Sequence, residues 1–135
     1  MEKETKGFEL VVIDTSVFID YLRNYPSAII YFQSIPQEMR KSLFFSAITE
    51  TELISGKSCN ENLVRTGVIG LLNSFTKIEV HNQIALKAGD LCRIYNISLP
   101  DAIIASTALI KGVKLFTRNI KDFENVPGLK LKISY

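Results

Sequence analysis

Four acidic residues, Asp14, Glu52, Asp101 and Asp122, stand in settings where they could do chemistry. Asp14 ends the run from Phe8 to Ile13 and is followed by Thr15 and Ser16. Glu52 closes a Thr-x-x-Glu that begins at Thr49, and Asp101 closes a Ser-x-x-Asp that begins at Ser98. Asp122 closes an Asn-x-x-Asp from Asn119, just after Thr117 and Arg118. Carboxylate oxygens are the ligands a hard divalent cation takes, so the set suits Mg²⁺ or Mn²⁺. Gathered in one cleft the acids would repel, because two unit charges ~4 Å apart cost about 4 kcal/mol at an effective dielectric of ~20. Cations remove that cost; without them the acids hold protons more tightly than in a free peptide. Bound cations can activate a water and neutralise a leaving oxygen, which is the chemistry of phosphodiester hydrolysis.

Other site chemistries lack their residues. His81 is the single histidine, Cys59 and Cys92 form no C-x-x-C pair, and no glycine-rich phosphate loop occurs. A zinc centre, a Ser-His or Cys-His nucleophile and a nucleotide-cradling loop are therefore disfavoured. The formal net charge is only +2, so a polyanion would be met by a local patch rather than by the whole surface. Arg118 and Lys121 flank Asn119 and are the candidates for phosphate contact. Tyr21, Tyr25, Tyr31 and Phe32 could stack on unpaired bases, pack into the core, or line a groove for a partner helix. The charged opening Met1–Lys6 lacks the apolar stretch of a secretory leader. No apolar run reaches the ~18 residues of a membrane span. The expectation is a reduced, cytoplasmic protein without a membrane segment.

Elements must bring these residues together. The length predicts one domain, residues 1–135, and a composition 47% hydrophobic suffices for one core. Phe8–Ile13 reads as a strand buried on both faces. Helices are predicted over Thr15–Arg23, with Ser16 near the N-cap, and over Ser27–Ser34, Ala47–Ile54, Asn60–Leu72, Gln83–Tyr95 and Ser98–Ile110. Short strands are predicted at Ser42–Ser46, Phe75–Val80, Val113–Phe116 and Leu129–Ile133. This alternation argues an α/β layer architecture on a mainly parallel sheet. In such sheets sites gather at the carboxyl ends of the strands. Asp14 directly follows one strand, Asp122 follows another within a few residues, and Glu52 and Asp101 read as first-turn helix residues.

Each acid also has a plainer reading. Thr49-x-x-Glu52 fits a capping box, and the Ser98–Asp101 and Asn119–Asp122 pairs have a related form. A first-turn carboxylate is favoured by the helix dipole by ~0.3–1 kcal/mol. Asp14 resists this reading, since a carboxylate at the end of an apolar strand is costly unless paired. Glu50 competes with Glu52, but two residues on a helix are ~200° apart and cannot face one site. Glu52 alone fits the Thr-x-x-Glu spacing. Asp20 reads as solvated or paired with Arg23, and Asp90 as a surface residue.

In order, these motifs resemble the PIN-domain nucleases, and most closely the VapC-type toxins of toxin–antitoxin pairs. The resembling stretches are Val12-Ile-Asp14-Thr-Ser16-Val17, Thr49-x-x-Glu52-Leu53, Asp101-Ala-Ile-Ile-Ala-Ser106 and Thr117-x-Asn119-x-x-Asp122-Phe123. Ser106 stands where the family usually has alanine. The resemblance implies a PIN-like α/β/α sandwich with a parallel sheet, Mg²⁺- or Mn²⁺-dependent RNA cleavage, a homodimer, and an antitoxin covering the site. It carries over Asp14, Glu52, Asp101 and Asp122 as catalytic, metal-binding acids, and Ser16, Thr117 and Asn119 as supporting groups. The alternatives are a PIN-fold binding module without turnover that engages an antitoxin or RNA, and a phosphoacceptor receiver domain. A receiver, however, pairs two acids after its first strand, and Asp14 has no acidic neighbour before Asp20.

Overall fold

The chain runs β1 (Val11–Ile13), α1 (Thr15–Leu22), α2 (Pro26–Ser34), β2 (Phe44–Ser46), α3 (Ala47–Ile54) and α4 (Asn62–Asn73). It continues through β3 (Thr76–Ile78), α5 (Asn82–Tyr95), α6 (Leu99–Lys111), β4 (Lys114–Phe116), α7 (Ile120–Phe123) and β5 (Leu131–Lys132). Single 3₁₀ segments span Gln37–Ser42 and Lys57–Asn60. This computed structural model describes residues 8–133 and 135, so the charged opening Met1–Lys6 lies outside the described residues.

The five strands form one sheet in the order β3-β2-β1-β4-β5, and all four pairings are parallel. β1 is central because every residue in it is apolar and fully buried, as a strand covered on both faces must be. Its two-residue period divides the core. Val11 and Ile13 join Val17, Phe18, Tyr31, Phe32, Leu53 and Leu72 on the side of α1, α2 and α4. Val12 joins Ala88, Leu91, Ala102, Ile104 and Ala105 on the side of α5 and α6. Helices thus cover both faces, giving the α/β/α sandwich the motifs predict. Phe18 packs edge-on against Phe45 and Phe75, with centroids 6.1 and 5.8 Å away. Such aromatic pairs add ~0.5–1.5 kcal/mol beyond area burial.

The strands are shorter than predicted. Phe8 packs against the core without joining the ladder, and Leu10 is 45% exposed. Only Val12 of β1 pairs with β2, opposite Phe44, while Val11–Ile13 pair in full with Lys114–Phe116. At the far edge, Thr76–Ile78 is only half-covered, so the run toward Val80 leaves the sheet. Two helix caps also differ. Asp14, not Ser16, is the N-cap residue of α1. Ser46 caps α3 by accepting from the Ile48 N–H at 3.2 Å, which moves Glu52 from the first turn into the second.

Candidate active site

The order of the strands decides where a site can lie. From β1 the chain builds outward to β2 and β3 on one side, then crosses to β4 and β5 on the other. The carboxyl end of β1 is therefore the switch point at which open parallel sheets bind ligands. Asp14 stands there. Its N–H continues the ladder to the Phe116 carbonyl at 2.8 Å, and the residue is only 3% exposed. Ser16 Oγ and Thr117 Oγ1 donate to its Oδ2 at 2.7 and 2.8 Å. Burial pushes its pKa above the ordinary carboxylate range, and these two hydroxyls and the nearby Thr15 and Ser16 amides oppose that push without cancelling it.

The hydroxyls form a connected set. Ser16 Oγ also accepts from the Arg118 N–H at 3.1 Å, and Thr117 Oγ1 from the Asn119 N–H at 2.9 Å. The loop after β4 is thereby tied to the end of β1. Asn119 is the N-cap residue of α7, but its side chain makes no capping bond there, so the capping reading of Asn119–Asp122 does not hold.

Glu52 reaches this edge by another route. Thr15 Oγ1 donates to Glu52 Oε1 at 2.6 Å and lies 2.9 Å from Thr49 Oγ1. Thr49 is fully buried, so the Thr-x-x-Glu spacing does not form a capping box: Thr49 lies inside α3, and Ser46 is the cap. Glu50 turns away and pairs with Lys77 at 3.4 Å. Sequence reading missed Thr15, whose only signal was its place directly after Asp14.

Asp101 enters from the opposite direction. α6 leads into β4 and runs against it, so its first turn returns to the carboxyl edge of the sheet. Ser98 caps it, accepting from the Asp101 N–H at 3.4 Å. The Asp101 pKa is raised first by burial and then by the charges of Asp122 and Asp14, against the pull of the Ser98 hydrogen bond. The charges of Asp122 and Asp14 are thus both felt at Asp101. A cavity of about 290 Å³ is shared by Ser98, Asp101, Lys121, Asp122 and Asn125.

Arg118 is placed differently from a solvated helix face. Its Nε pairs with Asp20 Oδ2 at 3.3 Å, which replaces the predicted Asp20–Arg23 pair. Tyr135 donates to the same oxygen at 2.7 Å. No sequence spacing links residues 20, 118 and 135, so only the fold reveals this cluster. Tyr31 and Phe32 are core residues and Tyr21 packs against them; Tyr25 remains 44% exposed. Asp90 pairs with Arg93 on the surface.

The donor set fits a hard cation in kind, being all oxygen. Among the described residues, no three acidic, histidine or cysteine side chains stand close enough to share one ion directly. Mg²⁺ is commonly held by one or two carboxylates plus its own waters, and this edge offers carboxylates in that number.

Fold and site together define an α/β/α protein with a buried carboxylate at the switch point of a parallel sheet. The chain belongs to the PIN-domain family, whose model matches residues 11–129. It is 32% identical over 126 residues to ribonuclease VapC10 of Mycobacterium tuberculosis, covering 90% of this chain and 91% of that one. It is 27% identical to ribonuclease VapC19 of the same organism, with 88% and 96% covered. Among solved structures, it resembles a toxin–antitoxin complex from Klebsiella pneumoniae at 28% identity and a TM-score of 0.76, covering 93% of this chain and 98% of that one. It also resembles DNA-bound VapBC from Salmonella typhimurium at 25% identity and a TM-score of 0.78, with the same coverage. PIN-domain ribonucleases generally depend on divalent metal. Among the described residues, no helix is long and apolar enough to cross a membrane.

Proposed function

We propose that this chain is a metal-dependent endoribonuclease and the toxin of a toxin–antitoxin pair. The observation that carries the reading is Asp14: a buried carboxylate at the switch point of the sheet, held by two hydroxyls. The likeness to proteins named as VapC ribonucleases and to toxin–antitoxin complexes supports it. Asp14, Glu52, Asp101 and Asp122 would hold Mg²⁺ or Mn²⁺. When bound, such an ion supplies Lewis acidity and a water acidic enough to attack phosphorus near neutral pH.

The protein's own groups do the positioning. Ser16 and Thr117 fix one Asp14 oxygen and favour its charged form. Thr15 aims Glu52 toward the same edge. Asn119 shapes the loop through its N–H to Thr117. Arg118 and Lys121 supply the positive charge that draws a phosphate backbone toward an acidic centre. The reading extends to one domain over residues 1–135, a homodimer, and an antitoxin protein that covers the site.

The purified chain should cut RNA with Mg²⁺ or Mn²⁺ and stop when the metal is chelated. Asp14→Asn keeps an acceptor for Ser16 and Thr117 and should abolish cutting while leaving the fold intact by circular dichroism. Equal cleavage by the variant would sink the assignment of Asp14. A folded wild type that binds an antitoxin but never cuts RNA would favour the binding-module reading.

A further inference from the structure

The cluster around Arg118 leads away from the acids along α1. Its N–H is held by Ser16 and its Nε by Asp20, and these two residues are one helical turn, ~6 Å, apart. The guanidinium carbon lies 5.4 Å from the ring centre of Tyr25 and 5.1 Å from that of Tyr135, and the two rings are 6.3 Å apart. Asp20 thus anchors the arginine through Nε, with Tyr135 donating to the same carboxylate. Among the described residues, the terminal guanidinium nitrogens have no hydrogen-bond partner. A cavity of about 350 Å³, lined by Arg118, Asn119, Ile120, Lys121 and Asp122, links the arginine with Asp122. Tyr25 is 44% exposed at the outer end of the stack.

We propose that Tyr25 and Arg118 form a subsite for one unpaired nucleotide flanking the scissile bond, with Tyr25 stacking the base and Arg118 taking the adjoining phosphate. This rests on the RNA-cleaving reading above and deepens it by assigning the flanking nucleotide to the side chains of Tyr25 and Arg118. A base within a duplex is stacked on both faces and has none to offer Tyr25, whereas unpaired bases are read by stacking on aromatic side chains. A guanidinium held by a carboxylate and two rings keeps its planar fork pre-oriented for phosphate. Asp20 and Tyr135 are positioning residues in this scheme, and the stacking surface is Tyr25.

Binding separates this subsite from catalysis. A fluorescent single-stranded RNA of mixed sequence is titrated with the full chain in EDTA, where no cleavage intervenes, across a range of salt. Tyr25→Ala should weaken binding about tenfold, the effect of losing one base–aromatic stack, and leave the salt dependence unchanged because no charge is lost. Arg118→Ala should lower the slope of log affinity against log salt by about 0.7, one phosphate contact on a single strand. Tyr25→Trp should bind like wild type, and Tyr25→Leu, which keeps apolar bulk without a π face, like Tyr25→Ala. Wild-type affinity in Tyr25→Leu overturns the subsite, even if the patch then proves to bind a protein partner. So does a wild type that binds no RNA. Tyr25-dependent binding by a wild type that never cuts RNA overturns the nuclease reading and keeps the subsite.

Discussion

Asp14 carries two opposed influences. Burial favours its neutral form, and the Ser16 and Thr117 hydroxyls favour its charged form, with burial the larger. Its folded pKa therefore lies above the ordinary 3.8, so within that window the folded chain holds a proton that the unfolded chain has released. Metal-free stability then rises as pH falls through the window. In EDTA, Asp14→Asn should melt above wild type near neutrality, and the gap should close as pH falls toward the ordinary carboxylate range. A gap independent of pH would contradict this. Ser106 offers a second test, because it is fully buried in α6 and its hydroxyl has no hydrogen-bond partner among the described residues. Ser106→Ala, the residue usual in the family, should stabilise the chain by about 1 kcal/mol in urea unfolding, since an unsatisfied buried hydroxyl is removed.

The helices matter through where they start and stop. Ser46 at the head of α3 sets which turn carries Glu52, and Ser98 at the head of α6 sets Asp101. α6 ends at Gly112, which has φ +75° and accepts the turn into β4 two residues on. Nothing lies within 4 Å of a Cβ placed there, so a side chain meets a backbone cost and no clash. Gly112→Ala should destabilise by about 1–2 kcal/mol, the left-handed penalty for an L-residue. RNA cleavage at temperatures well below melting should be unaffected, because the first turn of α6 lies at the other end of the helix. A loss of activity matching Asp14→Asn would show that the α6–β4 turn bears on the proposed site directly.

For the molecule as a whole, the proposed site joins four separate stretches of the chain, around Asp14, Glu52, Asp101 and Asp122, and a ligand that binds only when they are assembled stabilises the fold. Mn²⁺ at 100 times its Kd should add about 2.7 kcal/mol, seen as a rise of several degrees in melting temperature. Asp14→Asn should remove most of that rise. A wild-type melting temperature that does not move in millimolar Mn²⁺ would argue that the acids do not form a metal centre.

The sequence by itself determined the α/β alternation, the buried central strand and the family, because apolar periodicity and short motifs are local and survive in one dimension. It also marked Asp14, since a carboxylate ending an apolar strand is costly without partners. Capping was legible at Ser98 and misread at Thr49, because Thr-x-x-Glu has the same spacing whether or not the threonine begins the helix. Tertiary structure decided what depends on separation in space. It placed β1 between β2 and β4, so that Thr117 reaches Asp14, and it set Thr15 between Thr49 and Glu52. It also gave Asp20 to Arg118 and Tyr135 rather than to Arg23, a pairing between residues nearly a full chain length apart. The four acids are fixed by sequence, but the partners of Asp14 and Glu52 and the arginine stack follow only from the order in which the short strands pack.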